Sequence, residues 1–198
     1  MIFSEVDMDK VKMGMIVCFE SSGSFIDRRI EGWQRFCGFD VEAAKITHVA
    51  VSMGGPYIIE ATFPHSKTSD LLVDHQGRRL HFLYYRGQEF RDSKRKNMAL
   101  WAATRCNLDY GWPALLGFYL RSIIPIWKSN PLGSKSSPFC SYLVGWAFRR
   151  IGIDPWPGLA SDLITPAHIF ASDMFENYDV RAIPRGNGQN NCSVPEKI

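Results

Sequence analysis

The stretch "KITHVAVSMGGPYIIEATF", Lys45 to Phe63, constrains the fold more than any other part of the chain. Two arms rich in β-branched and aromatic residues flank a glycine-rich turn, the pattern of an antiparallel hairpin. Which side chains share a face depends on the turn, because successive strand residues point to opposite faces. A two-residue turn at Gly54-Gly55 sets His48 opposite Ala61 and turns Glu60 to the other face. A three-residue turn, Gly54-Gly55-Pro56, keeps proline out of the ladder. It sets Met53 opposite Tyr57, Ala50 opposite Glu60 and His48 opposite Thr62. His48 and Glu60 then form a diagonal pair on one face, a gap that a glutamate side chain can span.

A second stretch, "SPFCSYLVGWAFRRIG", predicts a helix that begins near Cys140 and ends by Gly152. Ser137 suits the N-cap and Pro138 the first helical position, which makes Cys140 the third. Leu143, Ala147 and Ile151 form an apolar stripe, Arg149 and Arg150 suit the negative end of the dipole, and Gly152 suits the residue past the end. Free amides and partial positive charge at a helix start favour a thiolate there. A thiol at this place also packs well under an amphipathic helix, so a nucleophile requires a partner base. Of the five histidines, His65 and His75 fall in polar loop sequence, His168 follows a Thr-Pro helix start, and His81 lies in a separate strand. Only His48 lies in a hairpin with a carboxylate on the return arm. A nucleophile, an imidazole base and a carboxylate that orients the ring make the constellation Cys140, His48, Glu60.

The remaining elements predict an α+β chain, with strands early and late and helices between. Strands are expected at Met15–Phe19, Arg78–Gly87 and Tyr178–Pro184; helices at Gly23–Phe36, Asp92–Cys106 and Ile164–Ser172. The 198 residues suit one domain over 1–184 with a polar, glycine-rich tail over 185–198. The net charge of +3 is too small to demand a nucleic-acid partner, and none is expected. Five widely spaced cysteines, Cys18, Cys37, Cys106, Cys140 and Cys192, form no Cys-x-x-Cys pair. They point to reduced thiols in a cytosol-like compartment, with no metal and no cofactor. The N-terminus has no signal-peptide pattern. The apolar run "WPALLGFYLRSIIPIW" from Trp112 to Trp127 is too short and too proline-broken for a spanning helix, so it predicts buried helix or a pocket wall, with a membrane surface a secondary expectation.

Four segments together resemble a known family. "ITHVAVSMGGPYIIEA" is similar to the His and Glu strands of YiiX-like proteins, the circularly permuted branch of the NlpC superfamily of papain-like cysteine hydrolases. "FCSYLVGWAF" resembles their nucleophile helix, and "ITPAHIFAS" the Thr-Pro-Ala segment that follows it. "KMGMIVCF" resembles the opening Gly-Asp-Ile-Val strand, with Met15 where Asp is usual. The resemblance runs from about Gly14 to Phe175. It implies a permuted papain-like fold, an antiparallel sheet or partial barrel packed on the helix that bears the nucleophile. The implied roles are Cys140 nucleophile, His48 general base and Glu60 orienting residue. The implied activity is that of a cysteine peptidase or amidase, a thiol hydrolase that cleaves a peptide or peptidoglycan-type amide through a thioester. Relatives in the superfamily act on lipids, so a thioesterase or acyltransferase with an acyl substrate is the alternative, and a non-catalytic structural module the third.

Overall fold

The computed structural model of the chain describes residues 6–113, 117 and 137–180. Its centre is one open antiparallel sheet of six strands: β1 (Ile16–Glu20), β2 (Ile46–Gly54), β3 (Tyr57–Glu60), β4 (Lys67–Asp70), β5 (Leu80–Tyr85) and β6 (Phe175–Asn177), in the order β4-β3-β2-β1-β5-β6. The helices are α1 (Phe25–Phe36), α2 (Val41–Ala44), α3 (Leu71–Asp74), α4 (Asp92–Ala103), α5 (Cys140–Arg150) and α6 (Pro166–Phe170). The chain is therefore mixed α+β. Among the described residues, no helix is long and apolar enough to cross a membrane.

Both faces of the sheet are covered, which explains why the central strands are apolar on both sides. Cys18, Val49, Val51, Ile59 and Leu83 pack on Met98, Ala99 and Ala102 of α4 and on Leu143, Val144, Ala147 and Phe148 of α5. Val17, Phe19, Ala50, Ile58 and Phe82 point the other way, against Val11, Leu71 and Val180. The chain enters β1 through Gly14, at φ +82, whose amide donates to the Ser52 carbonyl at 2.8 Å. A Cβ there would lie 2.8 Å from Arg95 Cβ. Gly14→Ala combines a left-handed backbone with that clash and is expected to cost about 2 kcal/mol. A lower urea midpoint with an unchanged slope would show it; an unshifted midpoint would refute it.

The hairpin turn is tighter than the three-residue loop of the sequence reading, yet the strand register is the same. Gly54 pairs with Tyr57, leaving Gly55-Pro56 as the turn, and an irregularity between Ser52 and Gly54 restores Ser52↔Ile58 and Val51↔Ile59. Gly55 at φ +60 followed by proline fits a type II′ turn, which matches the strand twist. The extra residue at Met53 then shifts the ladder by one, so His48 and Glu60 keep their common face.

Two boundaries differ from expectation. Phe139, not Ser137, is the N-cap of α5, so Cys140 is the first helical residue. Phe139 stays extended because the Pro138 carbonyl accepts from the Gly111 amide and the Phe139 ring is buried beside Tyr142 and Leu163. Among the described residues the last strand lies at Phe175–Asn177, where Phe175 docks in the aromatic cluster of Tyr85, Phe148 and Trp156, and Tyr178 to Val180 of the expected strand are not part of it. The strand β4 and the short helix α3 were not anticipated. The tail 185–198 and most of Trp112 to Trp127 lie outside the described residues.

Candidate functional site

The site forms where α5 begins and the β2–β3 ladder ends. β3 stops at Glu60, so the first residues of β2 have no partner on that side. His48 sits in this open stretch, opposite Phe19 of β1, with its ring against the Phe19 ring at a centroid distance of 5.2 Å. Its Nε2 meets Glu60 Oε2 at 2.6 Å. Cys140 lies close enough to the same imidazole to act on its charge, alongside Glu60. The structure thus brings together all three residues singled out from the sequence.

Glu60 is 1% exposed and its other oxygen is fully used. Oε1 accepts from Ser69 Oγ at 2.5 Å and meets His75 Nε2 at 3.1 Å. Sequence reasoning missed both partners and placed His75 in a polar loop. Ser69 arrives through the β3–β4 register, in which Glu60 faces Lys67 and Ile58 faces Ser69. His75 closes α3 and its ring lies tilted against Phe19 at a centroid distance of 4.6 Å. The only sequence signal was the Asp70 cap before "LLVDH", because "KTSD" has no strand pattern of its own.

The other histidines are occupied elsewhere. His65 meets Asp109, His81 meets Glu20, and His168 closes a reciprocal cap with Thr165 at the start of α6. Burial pushes the His168 pKa down to about 4.

Electrostatics tie the three central groups together. Burial opposes the charge on His48, but hydrogen bonds and charge from Cys140 and Glu60 outweigh it and push its pKa up to about 10. Burial likewise opposes the Glu60 carboxylate, yet the hydrogen bonds and charges of His48 and His75 hold it well below the usual carboxylate range. Beneath the site, burial pushes the Cys18 thiol up, and the neighbouring Cys140 adds to the effect.

Two cavities meet here. Cys140 and Ser141 line the first with Ile30, Trp33, Tyr110, Phe139 and Ile164, so its walls are largely apolar. His48, Glu60 and His75 line the second, a cleft of about 260 Å³ whose far side carries Ser22, Asp27 and Arg78. Ile30, Thr47 and Tyr110 belong to both and form the seam. Thr47 Oγ1 is buried there with no well-formed hydrogen bond, although its contact helps hold Asp27 ionised alongside Ser22 and Arg78.

Two tethers fix this geometry. Gln34, fully buried, donates to the Ala44 and Ile46 carbonyls and accepts from the Ala167 amide, joining α1, β2 and α6. Ser141 donates to the Ile164 carbonyl at 2.6 Å, fixing the first turn of α5 beside α6. The helix expected over Gly23–Phe36 is present as α1; its Ile26, Ile30 and Trp33 line the cavities, and Trp33 also packs on Phe139, Tyr142 and Leu163. No known family matches the sequence, and no curated protein does either.

Proposed function

We propose that the protein is a cysteine hydrolase that cleaves an amide through a Cys140 thioester, on a permuted papain-like fold. The observation that carries this reading is the meeting of Cys140, His48 and Glu60 at the seam of two cavities, with His48 bonded to Glu60 at 2.6 Å and Cys140 acting on the same ring. The thiolate is the attacking form, and the adjacent imidazole is the group that takes the thiol's proton. The thiolate attacks the acyl carbon, and the Cys140 amide is placed to donate to the developing oxyanion. As the first residue of α5 it has no acceptor within its own helix. His48 then gives its proton to the leaving amine, the thioester remains on Cys140, and His48 takes a proton from the water that hydrolyses it. Glu60 fixes the ring and balances its charge throughout.

A second reading shares this chemistry but takes an acyl lipid, as a thioesterase or acyltransferase. It is favoured by the apolar lining around Cys140, from Trp33, Phe139 and Ile164, which suits an acyl chain better than a charged peptide side chain. Peptide, peptidoglycan-fragment and acyl-thioester substrates separate the two readings by which one leaves an acyl group on Cys140.

Thiol selectivity tests the shared chemistry. Cys37 is exposed and Cys140 only 6% exposed, so an unactivated chain would react with an electrophilic amide at Cys37 first. Activation by His48 predicts the reverse order. Peptide mapping after substoichiometric chloroacetamide labelling would find the adduct on Cys140, and His48→Ala would move it to Cys37. Labelling of Cys37 ahead of Cys140 in the unaltered protein would count decisively against the proposal.

A further inference from the structure

The helix α1 is poorly buried for its composition: across its 12 residues only Gln34 is buried. On a helical wheel, Phe25, Gly32 and Phe36 lie on the side opposite Gln34 and so face away from the protein. Phe25 is 72% and Phe36 76% exposed. Arg28, Arg29 and Arg35 flank these rings. Arg29 lies over Phe25 at 5.0 Å, and Arg35 pairs with Glu31 at 2.6 Å. Asp27 is turned inward to Ser22 and Arg78, so the outward side sets three arginines against one glutamate. The aromatic exposure continues across the cleft mouth. Ile26 is on one rim; Phe63, 67% exposed, and Trp112 are on the other, edge to face at 6.2 Å.

We propose that α1 and the Phe63–Trp112 pair dock the protein on an anionic lipid surface, with the cleft mouth turned to the headgroups. Two projecting rings flanked by guanidinium groups match such a surface on both counts. The rings enter the boundary between headgroup and acyl chain, and the arginines pair with phosphate oxygens. Ile26, Phe63 and Trp112 at the opening, with Phe25 and Phe36 on the outer side of the same helix α1, mark an interaction site rather than ordinary surface scatter. A second copy of the chain is a poorer occupant, because a two-fold contact through α1 would bring the same arginines towards one another. The docking is independent of the catalytic reading and would operate with Cys140 replaced.

Sedimentation with vesicles tests it. The unaltered protein and Cys140→Ala should both pellet with mixed phosphatidylcholine–phosphatidylglycerol vesicles, and less with phosphatidylcholine alone. Added salt should weaken the binding. The double variant Phe25→Ala, Phe36→Ala should lose about tenfold or more in partitioning, and Arg28→Glu, Arg29→Glu should lose the preference for anionic lipid. Circular dichroism and thermal melting should be unchanged in both. The proposal is overturned if the unaltered protein ignores anionic vesicles at low salt, or if the phenylalanine variant binds as well as the original. It is equally overturned if that variant melts much lower, since the rings would then be covered within the chain. A concentration-dependent dimer abolished by the same variant would assign the surface to a second copy instead.

Discussion

Cys140→Ala is expected to abolish hydrolysis and acyl-adduct formation, and His48→Ala to lower turnover by about a thousandfold. The two effects have different origins. Removing the sulfur removes the bond that forms, whereas removing the imidazole leaves a thiol without its base and an amine without its proton donor. Stopped-flow measurement with an activated acyl ester and an amide separates them. The ester, whose leaving group needs no proton, should suffer less from His48→Ala than the amide. A spectroscopic signature accompanies the kinetics. The His48 ring, pushed up to about 10 by Cys140 and Glu60, should retain its proton through neutral pH in an NMR titration. In Cys140→Ala its pKa should fall, because one hydrogen bond and one charge are gone while burial still opposes the imidazolium. Full hydrolysis by Cys140→Ala would end the catalytic reading; an unmoved His48 titration would end the claim that the two groups are coupled.

What the sequence disclosed about this site follows from the range of the forces involved. The His48–Glu60 pairing was legible because it depends on alternation along two adjacent strands and on one turn, all within 16 residues. The register came out right although the turn was different: Gly55-Pro56 with an irregularity at Met53 displaces the ladder as a three-residue loop would. The helix that begins near Cys140 was legible from its stripe and its Gly152 terminus, at φ +74. Its first residue was not, because a tertiary hydrogen bond from Gly111 to Pro138 overrides the local Ser-Pro start. Ser69 and His75 escaped notice for the same reason. Nothing in "KTSD" favours a strand, and only the ladder with β3 makes it one. The helix α1 was legible as a helix, but helical periodicity says nothing about whether an apolar side meets core, cavity or solvent. Here the side is divided: Ile30 and Trp33 line a cavity, while Phe25 and Phe36 project outward.

Glu60 should prove as important to stability as to chemistry. It is a buried carboxylate with three partners, and Glu60→Ala leaves two imidazoles and the Ser69 hydroxyl without it. Breaking such a network from one side costs about 3–5 kcal/mol, since the stranded groups stay buried. For a chain of this size that lowers the melting temperature by about 10 °C. The pH dependence carries the sharper signature. The folded-state pKa of Glu60 is depressed, so its contribution is present above the unfolded value near 4.5 and is lost as pH falls below it. The folded-state pKa of His48 is raised, so its contribution is complete below the unfolded value near 6.5 and fades as pH rises towards about 10. The pair therefore stabilises the fold most between about 4.5 and 6.5, with decline on both sides. Glu60→Gln keeps the shape but removes the charge: the acid decline due to Glu60 should vanish, and the alkaline decline should still begin near 6.5 but end at lower pH. Chemical denaturation of both proteins across this range would display the difference, and superimposable profiles would mean that Glu60 does not hold His48 charged.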